Sequence, residues 1–165
     1  MKNIIKLKKS LMETYDAIVP GYARSRRGPF KIISKIPLEE QRLICDLGCG
    51  HGINATFIAE KGCEVVCIDL STRMLSATRR RSIRRGVYTR VNVIQADMEH
   101  PPLRENSLNA AIIIASLHHL PVENAITTLR ELGRSLKSRG LVLIVVWAAP
   151  QFRFLKAITI NILKK

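Results

Sequence analysis

From Arg42 onward, short apolar runs alternate with segments whose apolar residues recur every three or four positions. The runs Leu43 to Leu47, Glu64 to Asp69, Val91 to Ala96, Leu108 to Ala115 and Leu141 to Trp147 have the length of strands. None alternates cleanly between apolar and polar, as expected of strands covered by helices on both faces. Between them, Ile53 to Lys61 has helical spacing and stops at Gly62. Ser71 predicts a cap for a helix over 72–85, closed by Gly86. Val122, Ile126, Leu129, Leu132 and Leu136 mark one face of a further helix, which Gly140 should end. Strand–helix alternation with right-handed crossovers predicts an α/β fold, a doubly wound and mostly parallel sheet.

The first 40 residues fall outside this rhythm. Ile4, Ile5, Leu7, Leu11 and Met12 lie at roughly helical spacing with lysines between them. A turn-like stretch from Pro20 to Pro29 follows, then a short helical candidate from Phe30 to Ile36. The chain therefore divides into a helical, substrate-side segment over 1–40, a core over 41–151 and a short tail over 152–165.

Length and composition narrow the picture. A chain of 165 residues with 47% apolar content can build one compact core. Its apolar runs are too short for membrane spans, and lysines break up the N-terminal apolar residues, so a cytoplasmic protein is expected. The formal net charge is +14, from 27 basic and 13 acidic residues. Such a field attracts polyanions, nucleic acid first among them. Six arginines, Arg73, Arg79, Arg80, Arg81, Arg84 and Arg85, crowd the 72–85 helix. With Arg24, Arg27 and the N-terminal lysines they are candidates for an RNA backbone. Cys45, Cys49, Cys63 and Cys67 form two Cys-x3-Cys pairs, a spacing that does not match zinc knuckles. They read as buried thiols of a reducing compartment, and no metal site is expected.

The chemistry concentrates at Asp46-Leu47-Gly48-Cys49-Gly50-His51-Gly52, between a strand and a helix. Glycines belong where a side chain would keep a ligand from the backbone, or where φ must be positive. A dinucleotide fingerprint needs its third glycine one residue later, where this chain has Ile53. Two further strands end in acids: Asp69, followed by Leu70, and Asp97, followed by Met98. A carboxylate at Asp69 could accept both ribose hydroxyls of a nucleoside through charge-assisted hydrogen bonds.

Asp46-x-Gly-x-Gly-x-Gly resembles the cofactor loop of class I S-adenosylmethionine-dependent methyltransferases. That resemblance implies S-adenosylmethionine as cofactor, with Asp97 accepting from the adenine amino group and the Met98 amide facing the ring. Tyr15-Asp16-Ala17-Ile18-Val19-Pro20, Arg26, Pro29-Phe30, Ser116-Leu117-His118-His119-Leu120 and Val146-Trp147-Ala148-Ala149-Pro150-Gln151 are similar to one branch, the tRNA wobble-uridine carboxymethyl methyltransferases. Coverage runs over roughly residues 15–151. Pro150 stands where the family has an acid, and the chain is shorter than the family at its C-terminal strands. The resemblance implies tRNA as substrate and a small zinc-containing activator subunit as partner.

Methyl transfer is an in-line displacement in which the protein supplies position and electrostatics. Arg26 is a candidate grip on an anionic acceptor, because a guanidinium meets a carboxylate with two hydrogen bonds. His118 and His119 follow the fourth strand, where an acceptor should lie, and His119 is the favoured one. Three function classes fit: a tRNA wobble-uridine methyltransferase, a quinone or amine methyltransferase of the same fold, and an inactive cofactor- or RNA-binding protein.

Overall fold

The computed structural model describes residues 2–25, 28–40, 42–147 and 155–161. Five parallel strands, β1 (Leu43–Leu47), β2 (Glu64–Asp69), β3 (Val91–Gln95), β4 (Leu108–Ile114) and β5 (Leu136–Trp147), form the sheet. A sixth, β6 (Leu155–Asn161), adds to β5 in the antiparallel sense, giving the order β3-β2-β1-β4-β5-β6. The doubly wound, mostly parallel sheet predicted above is the one observed. The segment expected as a short tail contributes the antiparallel edge strand. Among the described residues, no helix is long and apolar enough to cross a membrane.

The helices α2 (Ile53–Glu60), α3 (Thr72–Arg84) and α4 (Val122–Ser135) are the crossover segments. Their sheet is buried on both sides. Ile44 and Cys45, neighbours in β1, belong to opposite hydrophobic clusters, and so do Ala110 and Ala111 in β4. Residues of the central strands β1 and β4 thus face a core whichever way they point, which explains the missing alternation there. Ser71 caps α3 as expected, its hydroxyl accepting from the Met74 amide at 3.0 Å. Gly62 and Gly86 take positive φ just past α2 and α3, where a left-handed residue lets the chain leave a helix.

Two boundaries differ from the sequence pattern. Helix α1 (Lys2–Ser25) runs through Pro20 and Gly21, where a turn was expected. Proline removes one amide hydrogen bond from a helix, but contacts on both sides of it hold α1 together. Val19 is buried, and the Tyr22 ring meets His51 edge-on at 5.4 Å. At the other boundary, α4 ends at Ser135 and strand β5 begins at Leu136, ahead of Gly140. Leu136 is fully buried opposite Leu108, so burial beside β4 overrides its helical spacing. Phe30 to Ile36 forms a short 3-10 turn, Lys31–Lys35, rather than a full helix.

Register brings the chemistry together. Leu47 lies opposite Ile68, and Asp69 opposite Gln95, so the loops after β1, β2 and β3 leave the sheet at one edge. Between β1 and β4 the winding reverses, and α/β folds open a ligand crevice at such a point.

Candidate functional site

The loop after β1 folds over the end of β2. The amides of Gly48 and Cys49 both donate to the Ile68 carbonyl, at 2.8 and 3.1 Å. Gly48, Gly50 and Gly52 have φ of 76°, 55° and 74°, a region that side chains disfavour. Space excludes side chains too. A Cβ at Gly48 would lie 2.5 Å from the Ser116 side chain, and one at Gly52 would lie 2.5 Å from Thr78 Cγ2. Both neighbours secure the loop: Ser116 Oγ donates to the Leu47 carbonyl at 3.1 Å, and Thr78 Oγ1 to the Gly50 carbonyl at 2.8 Å.

A cleft opens above this loop, lined by Gly48, Cys49, Gly50, Asp69, Leu70, Asp97 and Met98, all named from the sequence. Asp69 holds its own surroundings in place. One oxygen accepts from the Gly50 amide at 2.8 Å and the other from the Ser71 amide at 2.9 Å. A carboxylate offers about four lone-pair positions, so room for a ligand donor remains. Burial raises the pKa of Asp69, against the amides of Ser71, Gly50 and Leu70, which favour the charge.

Asp46 lies beneath the loop and is 1% exposed. Burial, reinforced by the charge of Asp69, pushes its pKa up to about 7, and the Ala55 amide only partly offsets this. Its Oδ2 has no hydrogen-bond partner among the described residues. A buried acceptor left open is costly unless a donor arrives.

Helix α1 roofs the cleft through Leu11, Met12, Tyr15 and Tyr22. Lys8 donates to Asp97 at 2.5 Å and also pairs with Glu99. Burial disfavours the Lys8 ammonium, but the two carboxylates prevail and raise its pKa. Asp16 accepts from Ser71 Oγ at 2.5 Å and from the Arg73 amide at 3.3 Å, tying α1 to the start of α3. The Tyr15 hydroxyl and His119 Nε2 share a 2.7 Å hydrogen bond across the cleft.

His119 lines the cleft, whereas His118 is exposed and leans on its neighbour, ring centroids 4.3 Å apart. Burial lowers both imidazole pKa values, further helped at His119 by His118. The pair is therefore neutral near pH 7. Arg26 and Arg27 lie outside the described residues, as do Ala148 to Gln151. The four cysteines are free and buried. Sequence reasoning passed over Tyr22 and Thr78, gave Ser116 no role of its own, and counted Lys8 among the lysines for an RNA backbone, whereas the structure pairs it with Asp97 and Glu99. Lys8, Leu11, Tyr15, Val19 and Tyr22 do form a stripe at three- and four-residue steps, a visible signal of a buried face, but not of what that face covers.

The profile of the methyltransferase domain family matches residues 44–140. A tRNA (carboxymethyluridine(34)-5-O)-methyltransferase of Arabidopsis thaliana is 33% identical over 147 residues, 87% of this chain and 34% of that protein. A ubiquinone/menaquinone biosynthesis C-methyltransferase of Coxiella burnetii is 31% identical over 130 residues, 76% of this chain and 51% of that protein. The chain thus spans about a third to a half of these curated relatives. Among solved structures, the [4+2]-cyclase SpnF superposes with a TM-score of 0.71 at 20% identity, covering 84% of this chain and 60% of that one. A geranyl diphosphate C-methyltransferase from Streptomyces coelicolor, solved with S-adenosyl-L-homocysteine, gives 0.59 at 20% identity, covering 64% and 39%.

Proposed function

The chain belongs to the methyltransferase domain family, and we propose that it transfers a methyl group from S-adenosylmethionine to the carboxymethyl group of a modified wobble uridine in tRNA. One observation carries the reading. The glycine loop, Asp69 and Asp97 converge at the end of the sheet, directly under the uncharged Tyr15–His119 pair. The strong positive charge and the tRNA-methyltransferase relative from Arabidopsis thaliana support tRNA as the acceptor.

The residues fit the cofactor. The bare main chain at Gly50, where an added Cβ would meet nothing nearer than Tyr22 at 3.9 Å, leaves room for a ligand beside the backbone, and the open Oδ2 of Asp46 beneath the loop suits an ammonium group above it. Asp69 would take the ribose hydroxyls, with Leu70 beside it, and Asp97 with the Met98 amide would take the adenine edge. When bound, S-adenosylmethionine supplies an electrophilic methyl carbon on a sulfonium.

The chain's own residues then position the acceptor. A carboxylate acceptor is ionised at neutral pH, so no general base is needed. Its charge is lost as the ester forms, so a cationic grip would stabilise the ground state more than the transition state. Bonded to each other, Tyr15 and neutral His119 keep one proton between them to donate, on the Tyr15 hydroxyl or on His119 Nδ1 according to the tautomer, without that penalty, and α1 keeps water away from the reacting atoms. His118, exposed at the rim, and Arg26 are left to contacts with the larger substrate.

A second reading has an observation behind it. The apolar roof residues Leu11 and Met12, with the quinone C-methyltransferase relative, favour a flat small-molecule acceptor. Incubation with labelled S-adenosylmethionine and total tRNA, followed by nucleoside digestion, separates the two. Label in a wobble nucleoside supports the tRNA reading, label only in added quinones supports the second, and cofactor binding without transfer to either leaves a binding protein. The family resemblance brings a zinc-containing activator subunit into the tRNA reading, and its dependence is tested by adding the activator to the same assay.

A further inference from the structure

Residues 70–96 contain seven arginines and no aspartate or glutamate. They form α3, the turn after it and β3, and α3 starts at the mouth of the cleft, beside Asp69 and Ser71. Arg73, Arg80 and Arg84 are all exposed. At about 100° per residue they fall within about 40° of one another around α3, and a rise of about 1.5 Å per residue spreads them over about 16 Å. Among the described residues, none of these three side chains is held in an ion pair. Their neighbours are engaged: Arg85 pairs with Glu60 at 2.5 Å, and Arg81 donates to the His51 carbonyl at 3.2 Å.

The stripe leads to an apolar patch. Past Gly86 the chain makes a 3-10 turn, Tyr88–Arg90, and enters β3, the edge strand of the sheet. Tyr88 is 62% exposed and Ile83 56%, in a shallow groove they share with Arg79 and Asn92. An exposed ring that shares its groove with the exposed Arg79 contributes little to the core, but it is what a nucleobase can stack on while phosphates meet the arginines of the helix before it.

We propose that this surface is a track for single-stranded RNA, with Arg73, Arg80 and Arg84 on successive stretches of phosphate backbone and Tyr88 as the platform for a base. The strand leaves the acceptor pocket at the start of α3 and runs away from the cleft toward β3. The proposal rests on the RNA-acceptor reading above and names the part of the protein that grips the substrate outside the reacting centre. A protein strand pairing with β3 would need strongly acidic flanks to sit beside these arginines, so charge favours RNA.

The test uses the full chain, a fluorescent oligouridine and two variants, Arg80→Ala/Arg84→Ala and Tyr88→Ala. S-adenosylhomocysteine affinity should match the parent in both, which also certifies their fold. Each phosphate contact on a single strand contributes about 0.7 to the slope of log K against log salt, so the double variant should lower that slope by about 1.4. Tyr88→Ala should weaken binding by about 5- to 100-fold with an unchanged slope, and Tyr88→Phe should restore it. Parent-like affinity and slope in both variants overturn the track, as does parent protein that binds no oligouridine. Methyl transfer to tRNA is scored separately. Transfer with an unaltered KM in both variants removes the track and leaves the acceptor reading standing. Oligouridine binding that responds as expected, in a protein that methylates no RNA, keeps the track and removes the acceptor reading.

Discussion

Cofactor binding should release protons at Asp46. In the free protein this carboxyl is buried beneath the glycine loop with a pKa of about 7 and an unpartnered Oδ2. A ligand ammonium beside it stabilises the charged form and pulls the pKa back toward the carboxylate range. Affinity then follows the fraction of Asp46 already ionised. For a pKa of about 7, that fraction falls about tenfold between pH 8 and pH 6, equivalent to about 1.4 kcal/mol, and about half a proton is released per site at pH 7. Titration calorimetry with S-adenosylhomocysteine, in two buffers of different ionisation enthalpy, reads the proton count directly. Asp46→Asn should abolish both the release and the pH dependence. Identical heats in the two buffers at pH 7, with affinity flat from pH 6 to pH 8, would refute the reasoning. Stability carries the same signature with a definite sign. The folded protein holds this proton more tightly than the unfolded chain, so ionising Asp46 costs stability that is intact near pH 4 and lost as pH rises through about 7. Thermal melts of the parent should show that decline, and Asp46→Asn should flatten it.

Four substitutions probe the remaining contacts. Asp69→Ala removes an acceptor for the Gly50 and Ser71 amides as well as for a ribose, and should weaken S-adenosylhomocysteine binding by about 2–4 kcal/mol in the same calorimetric assay. Gly52→Ala forces a side chain into a φ of 74° and onto Thr78 at 2.5 Å, which should lower stability by about 2–4 kcal/mol in denaturant melts. Tyr15→Phe removes the hydroxyl that bonds His119 and faces the acceptor; kcat/KM for methyl transfer should fall about tenfold or more while cofactor affinity stays put. Lys8→Met leaves Glu99, which is 5% exposed, without its cation, and should cost somewhat less than the about 3–5 kcal/mol of a fully buried pair.

The cofactor half of the cleft was legible because its information is local. Each of its carboxylates lies within two residues of a strand end, and the glycines follow Asp46 directly, so pattern and motif coincide within a few residues. Asp97 differs only in needing β3 to be placed beside β2, which the strand–helix rhythm already implied. The acceptor half depends on pairs far apart in the chain. Tyr15 meets His119 across 104 positions, and Lys8 meets Asp97 across 89. Nothing in the spacing of α1 says which strand tips it will cover. Its extent was misjudged for the same reason, since burial of Val19 and the packing of Tyr22 outweigh the local signal of Pro20 and Gly21. The early start of β5 repeats the lesson, because the burial of Leu136 is decided by Leu108, on another strand.

That division has a functional consequence. The same helix that closes the acceptor side also engages the cofactor side, through Lys8 on Asp97 and through Asp16 on Ser71, the cap of α3. Seating α1 therefore orders three things together: the Asp97 carboxylate, the start of the arginine stripe, and the Tyr15–His119 pair. A ligand that needs Asp97 and Asp69 correctly oriented gains affinity when α1 is seated, and by reciprocity its binding stabilises α1 against the sheet. In the proposed reaction, acceptor recognition would then follow on a roof that the cofactor has helped to fix.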